Sequence, residues 1–291
     1  MPVAVVTDST AYLPPELTAG ITIVPLTVVI GGVEGEEGEQ IGPAEVAAAL
    51  TERRVPVSTS RPAPARFAQT YRELLAAGAD GVVSVHLSAK LSGTYEAAVL
   101  AANEVDPDRI TVVDSGSTGM ALGFCALAAA AAAGGGADLA SSAAAAAKAA
   151  AATTTFFYVD TLEFLRRGGR ISAASALLGT ALSVKPILYV ADGAIAARDK
   201  VRTASRALNR LIDLAVEAAG DSQVDIAVQH LVAPQRARQV SDALAERLGD
   251  RLCQRWTSEV GAVVAAHVGP GLVGVVVHRV GPAPAATSPG A

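Results

Sequence analysis

The stretch GVVSVHLSAKLSGT, residues 81–94, passes from a run of small apolar residues into serines, a lysine, a glycine and a threonine. Its first five residues have the composition of a buried strand. The residues that follow, 93–105, are helix formers with apolar side chains at helical spacing. A strand, a hydroxyl-rich loop and a helix in this order are typical of a parallel α/β unit. We therefore expect a parallel sheet in this part of the chain.

The same alternation continues through the first half of the sequence. The predicted strands are 3–7, 21–29, 81–87 and 110–113, and the predicted helices are 62–77 and 93–105. Ser60 and Ser92 precede these two helices, where N-cap residues belong. The acidic, glycine-rich stretch GGVEGEEG at 31–38 predicts a solvated turn.

The second half has a different pattern. Residues 126–152 are almost entirely Ala, Gly and Ser, which predicts two alanine-rich helices joined by the glycines at 134–136. The elements predicted beyond them are a hairpin turning at Asp192-Gly193, helices at 205–219, 235–248 and about 260–266, and strands at 224–231 and 272–278. We predict an α/β fold class with an N-terminal parallel-sheet α/β domain at 1–155, a C-terminal α+β domain at 156–281, and a disordered tail at 282–291.

Composition excludes several classes of protein. The 291 residues carry 23 Lys and Arg against 28 Asp and Glu, so the net charge of −5 lacks the basic excess of a general nucleic-acid binder. Cys125 and Cys253 belong to no disulfide or metal-binding motif. The start has no basic region typical of a signal peptide, and the longest apolar run, 120–133, is shorter than the roughly 20 residues of a membrane span. We expect a cytoplasmic protein without a membrane span or a bound metal.

Small hydroxylated residues recur at the predicted strand ends. The four clusters are 7–10, 58–60, 88–94 and 114–118. Because the carboxyl ends of parallel strands lie along one edge of a sheet, the clusters can converge into a ligand site. Hydroxyl groups and free helix N–H groups suit an anion there, although N-caps and hydroxyl turns explain any single cluster. The sequence has no GxxxxGK[ST], no GxGxxG opening a helix after a strand and no GxSxG, so a carboxylate held by neutral donors is favoured over a nucleotide or a hydrolase serine.

The four histidines have no metal-ligand spacing and lie in apolar surroundings, which favours roles in the core. They are His86, His230, His267 and His278. His267 differs from the others because Val268-Gly269-Pro270-Gly271 follows it. A rigid turn of this kind would hold an imidazole at the rim of a cleft.

An ordered series of motifs covers nearly the whole chain apart from the alanine-rich middle and the tail. The runs are TDSTAYLPPEL at 7–17, ITIVPLTV at 21–28, STSRP at 58–62, VSVHLSAKLSGTYEAA at 83–98, VVDSGSTGMALG at 112–123, DTLEFLRRGGRIS at 160–172, LLGTALSVKPIL at 177–188, KVRT at 200–203 and HVGPG at 267–271. The series resembles the DegV family, whose members include the fatty-acid-binding subunits of bacterial fatty acid kinase.

This resemblance implies a two-domain protein that holds a long-chain fatty acid such as palmitate in a cleft between the domains. The carboxylate would lie toward the hydroxyl cluster and the acyl chain in an apolar tunnel. The ligand-binding residues implied by similarity are Thr59, Ser60, Ser92, Gly93, Arg202 and His267. An ATP-binding kinase partner would phosphorylate the carboxylate to an acyl phosphate. The chain itself would be a carrier that needs no cofactor.

Two arginines have more than one interpretation. Family members often carry Gln at the position of Arg61, whose guanidinium could tighten carboxylate binding or point to solvent. Arg170 lies in a run of arginines and glycines that places cations at a helix C-terminus, where they oppose the helix dipole. By similarity to the family, Arg170 could instead face the partner kinase.

Two other functions stay open at this point. An acyl- or phosphoryl-transfer enzyme could use Ser92 or Thr59 as nucleophile, and it would need a base within hydrogen-bond reach, for which His267 is the candidate. A small-anion sensor or interaction module would have a pocket too short for an acyl chain.

Overall fold

The computed structural model describes residues 2–52, 55–171 and 185–281. The strands are β1 Val3–Asp8, β2 Ile21–Val24, β3 Thr27–Ile30, β4 Val33–Glu36, β5 Val57–Ser60, β6 Gly81–His86, β7 Ile110–Asp114, β8 Thr153–Tyr158, β9 Lys185–Ala191, β10 Ala194–Val201, β11 Gln223–His230, β12 Leu252–Glu259 and β13 Val273–Gly281. The helices are α1 Pro43–Glu52, α2 Pro64–Ala76, α3 Thr94–Val105, α4 Met120–Gly134, α5 Leu139–Ala151, α6 Glu163–Arg167, α7 Ala204–Ala219, α8 Pro234–Leu248 and α9 Ala262–Val268. The predicted tail at 282–291 and residues 177–184 of the LLGTALSVKPIL run lie outside the described residues.

The first half contains the predicted parallel sheet, with strand order β2-β1-β6-β7. All six residues of β6 are buried, as the apolar run at 81–85 predicts. Helices α2 and α3 cover one face of this sheet, and the alanine-rich helices α4 and α5 cover the other. Small alanine side chains let α4 and α5 pack closely against each other and against the sheet.

The second half contains a mixed sheet with strand order β10-β9-β8-β13-β11-β12. Its first strand, β8, begins at Thr153, so the chain passes from one sheet to the other directly after α5. The hairpin β9-β10 turns at Asp192 and Gly193, whose φ angles of 48° and 79° are those that a two-residue hairpin turn requires. Strand β12, which pairs in parallel with β11 at the sheet edge, was not predicted.

The single strand predicted at 21–29 is wrong. Pro25 separates β2, which belongs to the parallel sheet, from β3, which lies in a separate antiparallel sheet of order β4-β3-β5. Proline has no N–H group for a strand ladder, so it ends β2. The predicted solvated turn at 31–38 is a hairpin with exposed glycines at its tip, but Glu37 at its end is only 5% exposed.

The predicted N-caps are wrong as well. Helix α2 begins at Pro64 with Ala63 at the N-cap, and Ser60 is the last residue of β5. Helix α3 has Gly93 at its N-cap, and the hydroxyl of Ser92 bonds to the hydroxyl of Thr94 at 2.9 Å instead of capping the backbone. These serines are therefore free of the capping role that the sequence pattern favours.

One apolar cluster joins the two halves of the chain. It combines residues of β3 and α1 with residues of β8, β9, α6 and α9. Its fully or nearly buried members include Leu26, Val28, Val46, Phe157, Val159, Leu165, Leu188, Ile195, Val260, Val263 and Leu272. The three-stranded sheet is thus encoded in the N-terminal half but packs against the C-terminal half.

A sealed chain of polar side chains lies inside the N-terminal part. The carboxylate of Asp8 accepts from His86 Nδ1 at 3.0 Å and from the Leu87 N–H group at 2.9 Å. His86 Nε2 lies 2.7 Å from the Ser84 hydroxyl, which also accepts from the Tyr71 hydroxyl at 2.8 Å. Both ring nitrogens of His86 therefore have a buried hydrogen-bond partner, Asp8 at Nδ1 and Ser84 at Nε2. The side chains of Asp8, Ser84 and His86 have no exposed surface, which confirms a core role for His86.

We expect Tyr71→Phe to lower the free energy of unfolding by about 1 kcal/mol, because it removes one buried neutral hydrogen bond. Urea unfolding measures the change. Tyr95→Phe is the matched control, since its hydroxyl has no hydrogen bond within the described structure. Equal effects of the two substitutions would show that the hydrogen bond from Tyr71 to Ser84 does not stabilise the fold.

Candidate functional site

A cavity of about 420 Å³ lies between the ends of the N-terminal strands and the six-stranded sheet. Its walls are mainly apolar. The apolar side chains are Leu26, Leu87, Leu91, Phe157, Leu165, Val190, Ile195, Val260, Val263, Val264, Val268, Leu272 and Val276. Pockets that bind small organic ligands have this size and this apolar lining, with a few polar groups that fix orientation.

A connected group of polar residues lines the same cavity. Its members are Thr59, Ser60, Arg61, Ser92, Gly93, Arg170 and His267. One contact that joins the two halves of the chain here is between Thr59 Oγ1 and His267 Nε2, at 2.9 Å. We call these seven residues the polar end of the cavity.

Glycines determine how close the neighbouring segments come to His267. Helix α9 ends at Val268, and its C-cap residue Gly269 has a φ of 72°. The ring of Phe164 occupies the space that a Cβ at Gly269 would need. Gly168 lies directly against His267 Nδ1, where a Cβ would clash with the ring. The rigid turn predicted after His267 is therefore present, and it sets the imidazole beside Thr59.

His267 is a neutral imidazole at ordinary pH. Burial, aided by the nearby Arg170 cation, lowers the pKa of His267 to about 4. Nδ1 is buried and has no hydrogen-bond partner among the described residues. A buried N–H without an acceptor is costly, so the proton belongs on Nε2 and is donated to Thr59 Oγ1. The Thr59 hydroxyl proton is then free to be donated to a ligand.

Arg61 contacts Gly93, the residue that follows Ser92. The Arg61 guanidinium packs directly on Gly93, and its Nη1 donates to the Gly93 carbonyl at 3.2 Å. Arg61 is exposed and lines the cavity rim, so it is within the polar end and also reaches solvent. Ser60 is exposed as well, and its hydroxyl donates to the Arg61 carbonyl at 3.3 Å.

Arg170 lines the cavity and Arg202 does not. The Arg170 guanidinium turns into the polar end, where Nε donates to the Leu91 carbonyl at 3.0 Å and Nη1 to the Gly168 carbonyl. Arg202 is exposed in the turn between β10 and α7 and is not among the residues lining the cavity. The contact with a head group that the resemblance implies for Arg202 stays a prediction.

A second opening adjoins the polar end. A surface groove of about 480 Å³ shares Thr59, Arg170 and His267 with the cavity. Arg167 and Phe164 also line this groove. Thr59, Arg170 and His267 thus separate the groove from the cavity and line both.

The four hydroxyl clusters converge only in part. Residues 58–60 and 88–94 supply Thr59, Ser60 and Ser92 to the polar end. From 114–118, Thr118 lines another part of the cavity, next to Gln229 and Thr155. The cluster at 7–10 is structural: its threonines bond to Val85 and Asp8.

The structure does not pair Ser92 with His267, but it does pair Thr59, the other candidate nucleophile, with His267 at 2.9 Å. With its proton on Nε2, His267 donates to Thr59 and does not accept the hydroxyl proton as a base would. Among the described residues, Ser92 has Thr94 as its hydroxyl partner, and the Nε2 atom of His267 forms a hydrogen bond with Thr59.

Within the described residues, no three metal-binding side chains come together. Every described helix is also too short or too polar to span a membrane.

Comparison with known proteins identifies the family. The family model described as "Uncharacterised protein, DegV family" matches residues 2–280. The chain belongs to the DegV family. A DegV domain-containing protein of Streptomyces coelicolor is 57% identical over 280 residues, covering 94% of this chain and 98% of that protein.

Solved structures of other DegV proteins share the fold. The chain is similar to a DegV family protein from Thermus thermophilus described by its fatty acid binding, with a TM-score of 0.90, 34% identity, and coverage of 96% of this chain and 100% of that one. It is also similar to DegV from Bacillus subtilis, a fatty acid binding protein, with a TM-score of 0.86, 32% identity, and coverage of 96% and 99%. The mixed α/β architecture predicted from the sequence is that of the DegV proteins.

The low pKa of His267 makes a testable prediction for this DegV protein. A histidine whose folded-state pKa lies below its unfolded value of about 6.5 stabilises the fold fully above that pH. This stabilisation, on the order of 3 kcal/mol, is lost as the pH falls from 6.5 toward 4. Urea unfolding at several pH values should show a shallower acid loss for His267→Gln than for the unchanged chain. Identical slopes would contradict the buried neutral state.

Proposed function

We propose that this chain binds a long-chain fatty acid, with its carboxylate at the polar end and its acyl chain in the apolar part of the cavity. The observation that carries the proposal is the pairing of Thr59 with His267 at one end of an apolar cavity in a member of the DegV family. Thr59 and Ser92 would donate hydroxyl protons to the carboxylate. Arg170, which lines the same end, would supply the positive charge.

The energetics assign separate roles to the two parts of the cavity. Burial of each methylene stabilises a bound chain by roughly 0.8 kcal/mol, so about fifteen methylenes contribute on the order of 10 kcal/mol before entropic losses. A hydrogen bond to a charged group contributes about 1.5–3 kcal/mol. The acyl chain therefore sets affinity, and the polar end sets orientation. A cavity of about 420 Å³ with mainly apolar walls is larger and less polar than a site for a small anion alone requires.

We further propose that the chain presents its fatty acid to an ATP-dependent kinase partner. A carboxylate oxygen would attack the γ-phosphorus of ATP, forming an acyl phosphate and releasing ADP. The groove beside Thr59, Arg170 and His267 supports this role, because it offers a second approach to the carboxylate. Arg167, which is paired with Glu163 on the same helix, adds a cation at the groove that could also meet a phosphate. The chain would act as a carrier in the cytoplasm, and catalysis would reside in the partner.

Native mass spectrometry of the purified chain tests the proposed ligand. We expect a co-purified fatty acid and, after delipidation, a rise in melting temperature on addition of palmitate or oleate. Hexanoate is the matched control, because it carries the same head group with too few methylenes for tight binding. A chain that purifies empty and responds to none of the three acids would contradict fatty acid binding.

The contribution of Arg170 can be measured against that of Arg202. We expect Arg170→Gln to weaken palmitate binding about tenfold, since it removes the cation beside the carboxylate. Arg202→Gln is the matched control and should leave the dissociation constant within about twofold. Displacement of a fluorescent fatty acid gives both constants. A larger loss at Arg202 would support the head-group contact that the family resemblance implies for Arg202, and it would contradict the role of Arg170 as the cation beside the carboxylate.

A further inference from the structure

Glu37 is a buried carboxylate that the site described above does not use directly. It follows β4 and is 5% exposed, in a segment whose sequence predicted a solvated turn. Its Oε1 atom accepts from the Val263 N–H group at 2.7 Å and from the Tyr12 hydroxyl at 3.0 Å. Its Oε2 atom accepts from the hydroxyl of Ser9. A buried carboxylate with three donors needs a structural or functional reason.

The contacts of Glu37 and Tyr12 complete the start of helix α9. The first amides of a helix lack partners within the helix, and the N-cap residue of α9 is Gly261, which has no side chain to supply one. Glu37 accepts from Val263, and the Tyr12 hydroxyl accepts from the Val264 N–H group at 3.1 Å. The cap of α9 is thus provided by side chains more than 200 residues away in sequence.

Two backbone features show that this arrangement is tightly constrained. Gly261 faces both the Tyr12 ring and the Glu37 carboxylate, and a Cβ at this position would clash with both. Tyr12 has a φ of 47°, a left-handed conformation that is costly for a residue with a side chain. Burial and the neighbouring Glu37 raise the pKa of Tyr12 well above its ordinary value, so its hydroxyl stays a donor to Glu37.

Helix α9 carries the residues that the proposed ligand would meet. Val263, Val264 and Val268 line the apolar cavity, and His267 bonds to Thr59 at the polar end. The helix has only seven residues, and it is held by its buried apolar side chains and by the glycine turn that follows His267. The contacts at its first turn fix the opposite end of the helix, so they also contribute to where His267 lies.

We propose that Glu37, together with Tyr12 and Ser9, is a positioning residue for carboxylate recognition, because it caps α9 and thereby holds His267 in register with Thr59. This inference rests on the proposed fatty acid binding for its functional consequence. Loss of the cap should affect the carboxylate head group more than the acyl chain. The affinity for a carboxylate should therefore fall more than the affinity for an uncharged lipid of equal length, because apolar contacts with Val263, Val264 and Val268 tolerate a small displacement better than a hydrogen bond does.

The test compares palmitate with 1-hexadecanol on the delipidated full chain. Glu37→Gln should weaken palmitate binding about tenfold and change hexadecanol binding less than twofold. Glu39→Gln removes an equal charge from an exposed position two residues away and should change neither constant. Tyr12→Phe, which loses the contacts to Glu37 and to Val264, should reproduce the selective loss and serves if Glu37→Gln fails to fold.

A double substitution and a measurement without lipid complete the test. In the Thr59→Val background, Glu37→Gln should cause no further loss of palmitate affinity, because both act through the same contact. In the lipid-free protein, Glu37→Gln should shift the His267 imidazole ¹⁵N resonances, whereas Glu39→Gln should not. Equal weakening of both lipids, or unshifted His267 resonances, would overturn the positioning role. If the unchanged chain binds neither lipid, fatty acid binding itself fails, and the resonances still decide the role of Glu37.

Discussion

The packing of residues 26–52 and 55–60 against the C-terminal half is the constraint on which the site depends. This segment leaves the parallel sheet at Pro25 and buries Leu26, Val28 and Val46 among side chains of β8, β9 and α9. Apolar burial of this kind contributes roughly 1.5–3 kcal/mol for each large side chain. As a result β5 lies beside α9, and Thr59 meets His267 across 208 residues of sequence. Neither half of the chain contains the polar end by itself.

Local pattern and chain topology explain what the sequence could predict. The parallel sheet, the alanine-rich helix pair and the hairpin at Asp192-Gly193 depend on residues near one another in sequence, and they were predicted correctly. The sheet to which β3 belongs depends on an apolar surface that is distant in sequence. The break at Pro25 between β2 and β3 was therefore not predicted. Strand β12 is an edge strand of mixed polarity, LCQRWTSE, and its pattern alone does not distinguish it from a loop.

The residues of the site also fall into those that the sequence predicted and those that it did not. Thr59, Ser92 and His267 were named through the family resemblance, and the structure places all three on the cavity wall. The inward position of Arg170 depends on carbonyls of Leu91 and Gly168, which no sequence pattern reveals. The burial of Glu37 was missed for a related reason: its glycine-rich, acidic surroundings resemble a surface turn, and its partners lie in Ser9, Tyr12 and α9. A glycine at 261, where a capping side chain would be usual, is the one local sign of a donor group supplied from elsewhere.

The buried side chains of Asp8, His86 and Ser84 show that a triad-like arrangement does not by itself make a catalytic site. The carboxylate, imidazole and hydroxyl follow one another in the order of a Ser-His-Asp catalytic triad, and they lie at hydrogen-bond distances of 3.0 and 2.7 Å. A template search that matched atoms alone would therefore report an esterase. The Ser84 oxygen has no open side from which an ester could approach, and Tyr71 already occupies it. What distinguishes a nucleophile from a structural hydroxyl in this protein is an entry route, a property that no three-residue superposition measures.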